Sequence, residues 1–455
     1  VQVARIRQQG DGDQLATLVY TSGTTGPPKG AMLTHDNILC NVEECCSRFD
    51  VTAGDQCLSF LPLSHIFERT TGYYLMLRQG ATIAYAESID SVAINLAEIR
   101  PTVLISVPRL YEKMHNRVLE RVTTGPWLKK QLFFFALILG RSKVRRSQKG
   151  LRASPLLNLS LKLFDRLIFS KIKARLGGRL RILISGGAPL SAEIAEFFLA
   201  AEVPIYQGCG MTETSPVIAV NYPDRNRIDS VGPPLPQVEL KIADDRELLV
   251  KGRSVFHGYW RETGENSALQ EGGWFRTGDL AKLDDDRFLF ITGRKKELIV
   301  TAGGKNVAPQ EIENELKTDK FISNLVVYGD NKPYLIALVV PDFVSLQKYA
   351  NYKHLDVLDQ KTLLNNPQAL DLIRRRITTL QQHRPSYQQI KRFTLLARDF
   401  SSDKSEVTQT LKLKRKIIAD NFAEVIEDLY RTKSEAIHKT CFCSIGEEKS
   451  AVENP

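Results

Sequence analysis

The stretch Tyr20–Gly30, YTSGTTGPPKG, decides how the rest of the chain is read. It follows LATLVY, Leu15–Tyr20, whose aliphatic and β-branched residues suit a strand. Glycines at 23, 26 and 30 admit backbone conformations that L side chains resist. Thr21, Ser22, Thr24 and Thr25 add hydroxyl donors to the backbone N–H groups, so the turn can cradle an anion, and Lys29 supplies a mobile positive charge. It is not a Walker A loop. There Gly-Lys-Ser/Thr opens a helix, whereas here Pro27 and Pro28 precede the lysine and obstruct that continuation. The competing reading is a surface turn with no ligand, because Gly, Ser and Thr are common in loops.

At 455 residues the chain is long enough for two or three domains, and 43% hydrophobic with 25% charged residues suits a globular core. A formal charge of +10 favours anionic partners: nucleotides, phosphorylated cofactors, acidic lipid or nucleic acid. The cysteines at 40, 45, 46, 57, 209, 441 and 443 form no CxxC pair, which argues against zinc and suits a reducing cytosol. No apolar run reaches the roughly 20 residues that a spanning helix needs. The nearest is LFFFALIL, Leu132–Leu139, flanked by Lys129, Lys130, Arg141, Lys143, Arg145 and Arg146. Two readings compete for it: a segment lying in a membrane interface, or a buried helix followed by a solvated basic turn. Because the rich motif comes so soon after Val1, the sheet that carries it is expected to be incomplete at its N-terminus.

Up to about residue 295, short apolar runs alternate with amphipathic stretches, the pattern of parallel α/β structure. Helices are predicted at Thr34–Phe49, Phe67–Gln79, Ser91–Ile99, Arg109–Val122 and Ser191–Ala201, the last capped by Ser191. Strands are predicted at Gln56–Leu61, Ala81–Ala86, Thr102–Val107, Leu180–Ser185 and Val203–Gln207. Val238–Ile291 reads as an antiparallel β region closing the large domain. A boundary falls near Gly293–Lys296. Beyond it a small α+β domain is expected, with EIENELK helical, NLVVYGD and YLIALVV as strands, and a helix over Lys412–Tyr430. The predicted organisation is a large N-terminal α/β domain over 1–295, a small mobile α+β domain over 296–430, and a polar, aperiodic tail over 431–455.

Most predicted strands end in a turn rich in Gly, Pro or Ser, where open α/β sheets place ligands. ISGGAPL, Ile184–Leu190, offers the flat backbone of Gly186 and Gly187 to a base or ribose. In YQGCGMTETSP, Tyr206–Pro216, Glu213 beside a phosphate site makes sense chiefly with a bridging cation such as Mg²⁺. WFRTGDL, Trp274–Leu280, carries Asp279, an acid suited to ribose hydroxyls. TGRKKELIVTAGGKN, Thr292–Asn306, is a basic boundary segment with Gly303 and Gly304 beyond it, and TLKLKRK, Thr410–Lys416, is a basic cluster. Each has a bland alternative: a weak glycine turn, a solvated glutamate, a solvated basic helix start.

In order, these motifs resemble the adenylate-forming superfamily of acyl-CoA synthetases, luciferases and peptide-synthetase adenylation domains. YTSGTTGPPKG is similar to that family's phosphate loop, and SGGAPL, GMTET, WFRTGDL and GRKKELI resemble its later core motifs, across roughly residues 15–430. LPLSHIFER (Leu61–Arg69), SVPRLYEK (Ser106–Lys113) and a basic insert at about 125–175 resemble the long-chain fatty acid branch. The resemblance implies a long-chain fatty acid–CoA ligase: fatty acid and ATP give acyl-AMP, which coenzyme A then converts to the thioester. It also implies the roles of single residues. Thr21, Ser22, Gly23, Thr24, Thr25, Gly26 and Lys29 would hold the β- and γ-phosphates, with Glu213 on Mg²⁺. Gly187, Ala188 and Pro189, with Gly208, Cys209, Gly210, Met211 and Thr212, would border adenine and the α-phosphate. Asp279 and Arg294 would hold the ribose, Gly303 and Gly304 would lie among the cofactor contacts, His65 would gate the acyl pocket, Lys296 would be the hinge, and Lys412 would be the lysine of adenylation.

Three departures from the family pattern stand out. Cys209 replaces an aromatic that stacks on adenine, Arg246 replaces a common glycine, and the family's segment before the phosphate loop is absent. The implied location is cytoplasmic, peripheral on the inner face of a membrane where residues 125–150 make the contact; nucleic acid is not an expected partner. Two rival functions remain: acyl transfer to an acyl carrier protein instead of coenzyme A, and a non-catalytic membrane-binding descendant. Retention of Lys29, Glu213, Asp279, Arg294 and Lys412 speaks against the second.

Overall fold

A computed structural model describes residues 10–21, 28–89, 91–261, 269–355, 359–408 and 412–431. The chain divides into two units, Val1–Lys296 with Thr408–Lys412, and Glu297–Val407 with Leu413–Pro455.

The first unit opens with β1, Leu15–Thr21, and β2, Lys29–Thr34, paired antiparallel with Tyr20 opposite Gly30 and Thr21 opposite Lys29. The loop between them therefore closes a hairpin; its residues 22–27 lie outside the described ones. Thr34 ends β2 and caps α1, His35–Cys46: its hydroxyl accepts the Asn37 N–H at 3.1 Å, and the Asn37 side chain accepts the Thr34 N–H at 2.9 Å.

The central sheet contains β3 (Gln56–Ser59), β4 (Thr82–Tyr85), β5 (Val103–Ser106), β6 (Ile182–Ser185), β7 (Ile205–Gly210) and β8 (Val217–Val220). Its order is β4-β3-β5-β6-β7-β8, parallel except for the last pair. Side chains along a strand alternate between faces, and both faces here are dry. Cys57, Val103, Ile105 and Ile182 enter one core cluster, while Leu58, Leu104 and Leu183 enter another. That double burial explains why these strands read as continuous apolar runs. Helices α2 (Val92–Ile99), α3 (Pro108–Thr123), α4 (Trp127–Gln148), α5 (Pro155–Phe164) and α6 (Ala192–Ala200) lie in sequence between strands of the sheet, and all contribute to the second cluster or pack against it. A β-rich region closes the unit: β9 (Glu239–Ile242), β10 (Glu247–Lys251), β11 (Leu269–Gln270), β12 (Trp274–Leu283) and β13 (Leu289–Arg294) form one antiparallel sheet.

The second unit starts with the short hairpin β14 (Ile299–Val300) and β15 (Asn306–Val307) and α7 (Pro309–Leu316). Its three-stranded sheet, β16 (Ile322–Tyr328), β17 (Leu335–Pro341) and β18 (Ile390–Leu395), is again buried on both sides. One side is covered by α7 with α8 (Phe343–Tyr352), α9 (Gln360–Asn365) and α10 (Pro367–Gln381), the other by α11 (Arg415–Asn421) and α12 (Ala423–Arg431).

Three sequence expectations need correction. Ser191 occupies the cap position of α6, but its side chain makes no capping hydrogen bond. The helix expected over Phe67–Gln79 is π-helical across Glu68–Tyr74 before one α-turn, Leu75–Arg78, and the Glu68 carboxyl lies over Gly72, where a Cβ would fall 2.4 Å from its Oε1. The helix expected over Lys412–Tyr430 begins only at Arg415 and breaks at Phe422. Lys412–Lys414 are extended, with Leu413 bridged to Val407.

Candidate active site

Glu213 sits in a 3₁₀ turn, Thr212–Thr214, between β7 and β8. The turn is held from two elements. The Asn41 amide of α1 donates to the Val217 carbonyl at 2.8 Å and accepts the Val217 N–H at 3.2 Å, and the Thr70 hydroxyl donates to the Ser215 carbonyl at 3.1 Å. Gly210 makes the tight return possible, since a Cβ there would lie 2.1 Å from the Pro216 carbonyl oxygen. Met211 and Thr212 are half-buried at the mouth of the turn, and Gly208 and Cys209 precede them on β7.

The Glu213 carboxylate is 7% exposed and its Oε1 accepts the Tyr259 hydroxyl at 2.6 Å. Tyr259 reaches it because the chain around Gly258–Trp260 runs beside β2: Ala31 is bridged to Tyr259, Trp260 N donates to Gly30 O at 2.7 Å, and Met32 N donates to Gly258 O at 3.0 Å. The Lys29 ammonium stands 5.0 Å from the centroid of the Tyr259 ring, a cation–π distance. Lys29, Tyr259 and Glu213 thus form one row from the exposed end of the β1–β2 hairpin to the β7–β8 turn. Thr21, opposite Lys29, has its hydroxyl 3.4 Å from the Lys29 carbonyl. Ser22, Gly23, Thr24, Thr25 and Gly26 lie outside the described residues. Tyr259 is the residue that sequence reading missed. Its signal was the aromatic cluster FHGYW, Phe256–Trp260, between two glycine-bearing turns.

Two further loops meet beside the sheet. The Phe67 ring packs on Gly186, where a Cβ would approach its Cζ to 2.7 Å, and this ties Leu61–Arg69 to the loop after β6. Gly187 takes φ +80° and is exposed with Ala188, while Pro189 is half-buried. His65 Nδ1 accepts the Phe67 N–H at 3.2 Å, which puts the proton of the neutral ring on Nε2. Burial lowers its pKa, so the neutral ring is the favoured form.

Asp279 and Arg294 face each other across the β12–β13 ladder, with Arg294 Nε 2.8 Å from Asp279 Oδ1. The Asp279 charge also reaches Cys209: burial first, then this carboxylate, raises the thiol's pKa. Both effects favour the protonated form of the Cys209 thiol at the end of β7. Lys295 pairs with Asp245 at 2.6 Å and Glu247 at 3.1 Å, and the exposed Lys296 ends the first unit.

Gly303 and Gly304 belong to the second unit, and Lys412 to the segment Thr408–Lys412 that groups with the first. Gly303 and Gly304 form the β14–β15 turn of the second unit, where Gly304 takes φ +70° and donates to the Thr301 carbonyl at 2.8 Å. Lys412 closes a turn with Thr408, receiving the Thr408 N–H on its carbonyl at 2.8 Å and donating its N–H to the Thr408 hydroxyl at 3.0 Å. Residues 409–411 lie outside the described ones. Arg415, in the same basic run, is neither solvated nor poised for phosphate: its guanidinium forks onto buried Glu313 at 2.6 and 2.5 Å. Among the described residues no group of three or more His, Cys, Asp or Glu could hold a metal by itself.

Residues 3–260 match a family profile described as AMP-binding enzyme, and 296–434 match one described as AMP-binding enzyme C-terminal domain. The long-chain-fatty-acid–CoA ligase FadD15 of Mycobacterium tuberculosis is 39% identical over 423 residues, 91% of this chain and 69% of that protein. The human long-chain-fatty-acid–CoA ligase 1 is 34% identical, over 92% of this chain and 61% of its own length. Among solved structures, the adenylation domain of a carboxylate reductase from Mycobacterium chelonae superposes with a TM-score of 0.69 at 25% identity, covering 93% of this chain and 61% of that one. ATP-bound MatB from Rhodopseudomonas palustris gives 0.62 at 24% identity, covering 91% and 70%, a likeness of fold.

Proposed function

Because the chain belongs to the AMP-binding enzyme family, we propose that it is an acid–thiol ligase that activates a long-chain fatty acid with ATP and passes the acyl group to coenzyme A. The observation that carries the chemistry is the row Lys29–Tyr259–Glu213, a cation and a carboxylate joined through one tyrosine at the end of the glycine-rich hairpin. The long-chain preference is supported by 39% identity to a ligase named for that substrate.

In the first half-reaction a carboxylate oxygen of the fatty acid bonds to the α-phosphorus of ATP. The bond to the β-phosphate bridging oxygen breaks, and pyrophosphate leaves. In the second, the sulfur of coenzyme A bonds to the acyl carbon, the bond from that carbon to the AMP oxygen breaks, and the thiol proton passes to solvent. Neither step uses a covalent protein nucleophile, so the protein's work is positioning and charge stabilisation. Thr21, Lys29 and the turn 22–26 hold the β- and γ-phosphates. Gly187 to Pro189 and Gly208 to Thr212 border adenine and the α-phosphate. Asp279 accepts from ribose hydroxyls while Arg294 fixes its orientation, Gly303 and Gly304 add cofactor contacts, and neutral His65 flanks the acyl carboxylate. Lys412 neutralises charge on the transferring phosphoryl group, and Lys296 is the hinge between the unit boundaries.

A magnesium ion fits this arrangement. Glu213 offers a single carboxylate with one oxygen already occupied, and Mg²⁺ is commonly held by one or two carboxylates completed by substrate phosphates. The ion supplies neutralisation of phosphate charge when bound.

Pyrophosphate release with Mg·ATP, compared across acetate, octanoate, palmitate and an aromatic acid, tests the reading. Palmitate is expected to lead. Release with none of them removes the ligase reading and leaves a non-catalytic descendant; a lead by another acid removes the long-chain assignment. Thioester formation with coenzyme A and with an acyl carrier protein identifies the acceptor, and exclusive transfer to the protein replaces coenzyme A. Peripheral contact with the inner face of a membrane through residues 125–150, in the cytoplasm, belongs to the same proposal.

A further inference from the structure

The basic excess of the protein is local. Residues 126–175 contain thirteen of the 62 Lys and Arg residues and one of the 52 Asp and Glu residues, so the other 405 residues carry 49 cations and 51 anions. All of the net positive charge belongs to α4, α5 and the turns around them. The same segment exposes a run of large apolar side chains. On α4, Leu128, Leu132 and Phe135 recur at the i, i+4, i+7 spacing of one helix face, and all are exposed. On α5 and the π-helical segment Asp165–Phe169 that continues it, Leu156, Leu159, Leu163 and Leu167 do the same. The two stripes share one surface, because the Phe135 and Phe164 rings meet edge to face at 5.6 Å. The opposite side of α4 is already used: Phe133, Ala136, Leu137 and Val144 are in the core. Three of the eight LFFFALIL residues, Phe133, Ala136 and Leu137, are thus core, and the apolar surface continues on a helix that the sequence reading did not include.

The cations are sorted in the same way. Arg141, Lys143 and Arg145 pair with Glu193, Glu196 and Glu202 at the α6 side. Lys129, Lys130, Lys162, Arg166 and Lys171 make no ion pair among the described residues. An apolar stripe rimmed by unpaired cations is the composition of an interfacial surface. Among the described residues no helix is long and apolar enough to cross a membrane. A second copy of the chain is a poor occupant, since a two-fold contact through this face would set the same cations against one another.

We propose that the outer face of α4, α5 and residues Asp165–Phe169 seats on the surface of an anionic phospholipid bilayer, with its leucines among the acyl chains and its lysines and arginines at the headgroups. This deepens the membrane contact proposed above for residues 125–150 by naming the face and the lipid charge, and it does not depend on the ligase activity.

Flotation with phosphatidylcholine vesicles, with and without phosphatidylglycerol, tests it in the absence of ATP and fatty acid. Binding is expected with phosphatidylglycerol and should fall about tenfold in high salt, which screens the rim charges. The double variant Leu156→Asp/Leu163→Asp and the double variant Lys162→Glu/Arg166→Glu should each lose binding about tenfold, because each removes one of the two contributions. All four positions are exposed, so the thermal melt and pyrophosphate release with octanoate should stay at the parent values. Absence of binding to anionic vesicles overturns the proposal, as does binding that neither variant weakens. If the variants instead convert a vesicle-free dimer into a monomer in sedimentation, the face is a self-association surface and the proposal fails. A failure of the ligase assay leaves the vesicle result standing, and the reverse holds too.

Discussion

Glu68 is 1% exposed; its Oε1 accepts the Ser59 hydroxyl at 2.6 Å, while Oε2 is buried with no partner among the described residues. Burial pushes its pKa from 4.5 up to about 7, against the lowering effect of the Ser59 hydrogen bond. A carboxyl raised in this way favours folding when protonated. Its contribution is complete below about 4.5 and disappears as the pH rises through about 7. Urea unfolding of the parent should therefore show a loss of about 1 kcal/mol between pH 6 and 8, and Glu68→Gln should remove that slope. An equal slope in the variant would move the effect to another group. Glu213 is the contrasting carboxyl, the one proposed above to hold a magnesium ion. Glu213→Gln keeps an oxygen for the Tyr259 hydroxyl and discards only the charge. The melt should be unchanged, while the Mg²⁺ midpoint for pyrophosphate release rises about tenfold; an unmoved midpoint in a magnesium titration removes Glu213 from the metal role.

The turn between β9 and β10 shows how one residue strains an element. Arg246 stands there at φ +65°, a left-handed conformation in which the Cβ of an L-residue crowds the backbone, and this is the position where the resembled family commonly has glycine. Its N–H donates to Ala243 O and its carbonyl accepts the Ala281 N–H, both backbone bonds that glycine retains, and its side chain is exposed. Arg246→Gly should stabilise the protein by about 0.5–1 kcal/mol, read as a higher urea midpoint; a lower midpoint would mean that the guanidinium matters. Elements were legible where one force dominated. β3, β5 and β6 are dry on both faces and show it as unbroken apolar runs. β2 was not legible, because KGAMLT has a lysine and a glycine at its start and its pairing with β1 is not a local property. Tyr259 was missed for the same reason: it reaches Glu213 only because its segment lies beside β2. The run TLKLKRK read as one basic helix, yet Arg415 points inward to Glu313, a partner about a hundred residues earlier that no local pattern announces. The GMTET turn was legible because it follows directly on the end of β7, where backbone and sequence agree, whereas Asp279 lies inside β12 and meets Arg294 only through the β12–β13 ladder.

At the scale of the molecule, net charge turned out to describe a surface and not the catalytic site. With the residues outside 126–175 nearly neutral, the attraction for phosphate proposed for the site rests on individually placed groups such as Lys29. That makes single cations decisive, and Lys412 is the sharpest case. The two-unit division gives a ligase with two half-reactions a physical means of using different groups in each. If Lys412 stabilises only the adenylation step, removing its charge should separate the halves. Lys412→Ala keeps the backbone bonds of Lys412 to Thr408, so the turn should survive. Fatty-acid-dependent exchange of pyrophosphate into ATP should then fall by about 10²–10³-fold, the scale of losing one preorganised transition-state charge. Thioester formation from supplied acyl-AMP and coenzyme A should stay within about twofold of the parent, because that step makes and breaks its bonds at the acyl carbon and none at phosphorus. Equal losses in the two assays would mean that Lys412 supports the fold or binds a group common to both steps, and the adenylation role would have to be given to another cation.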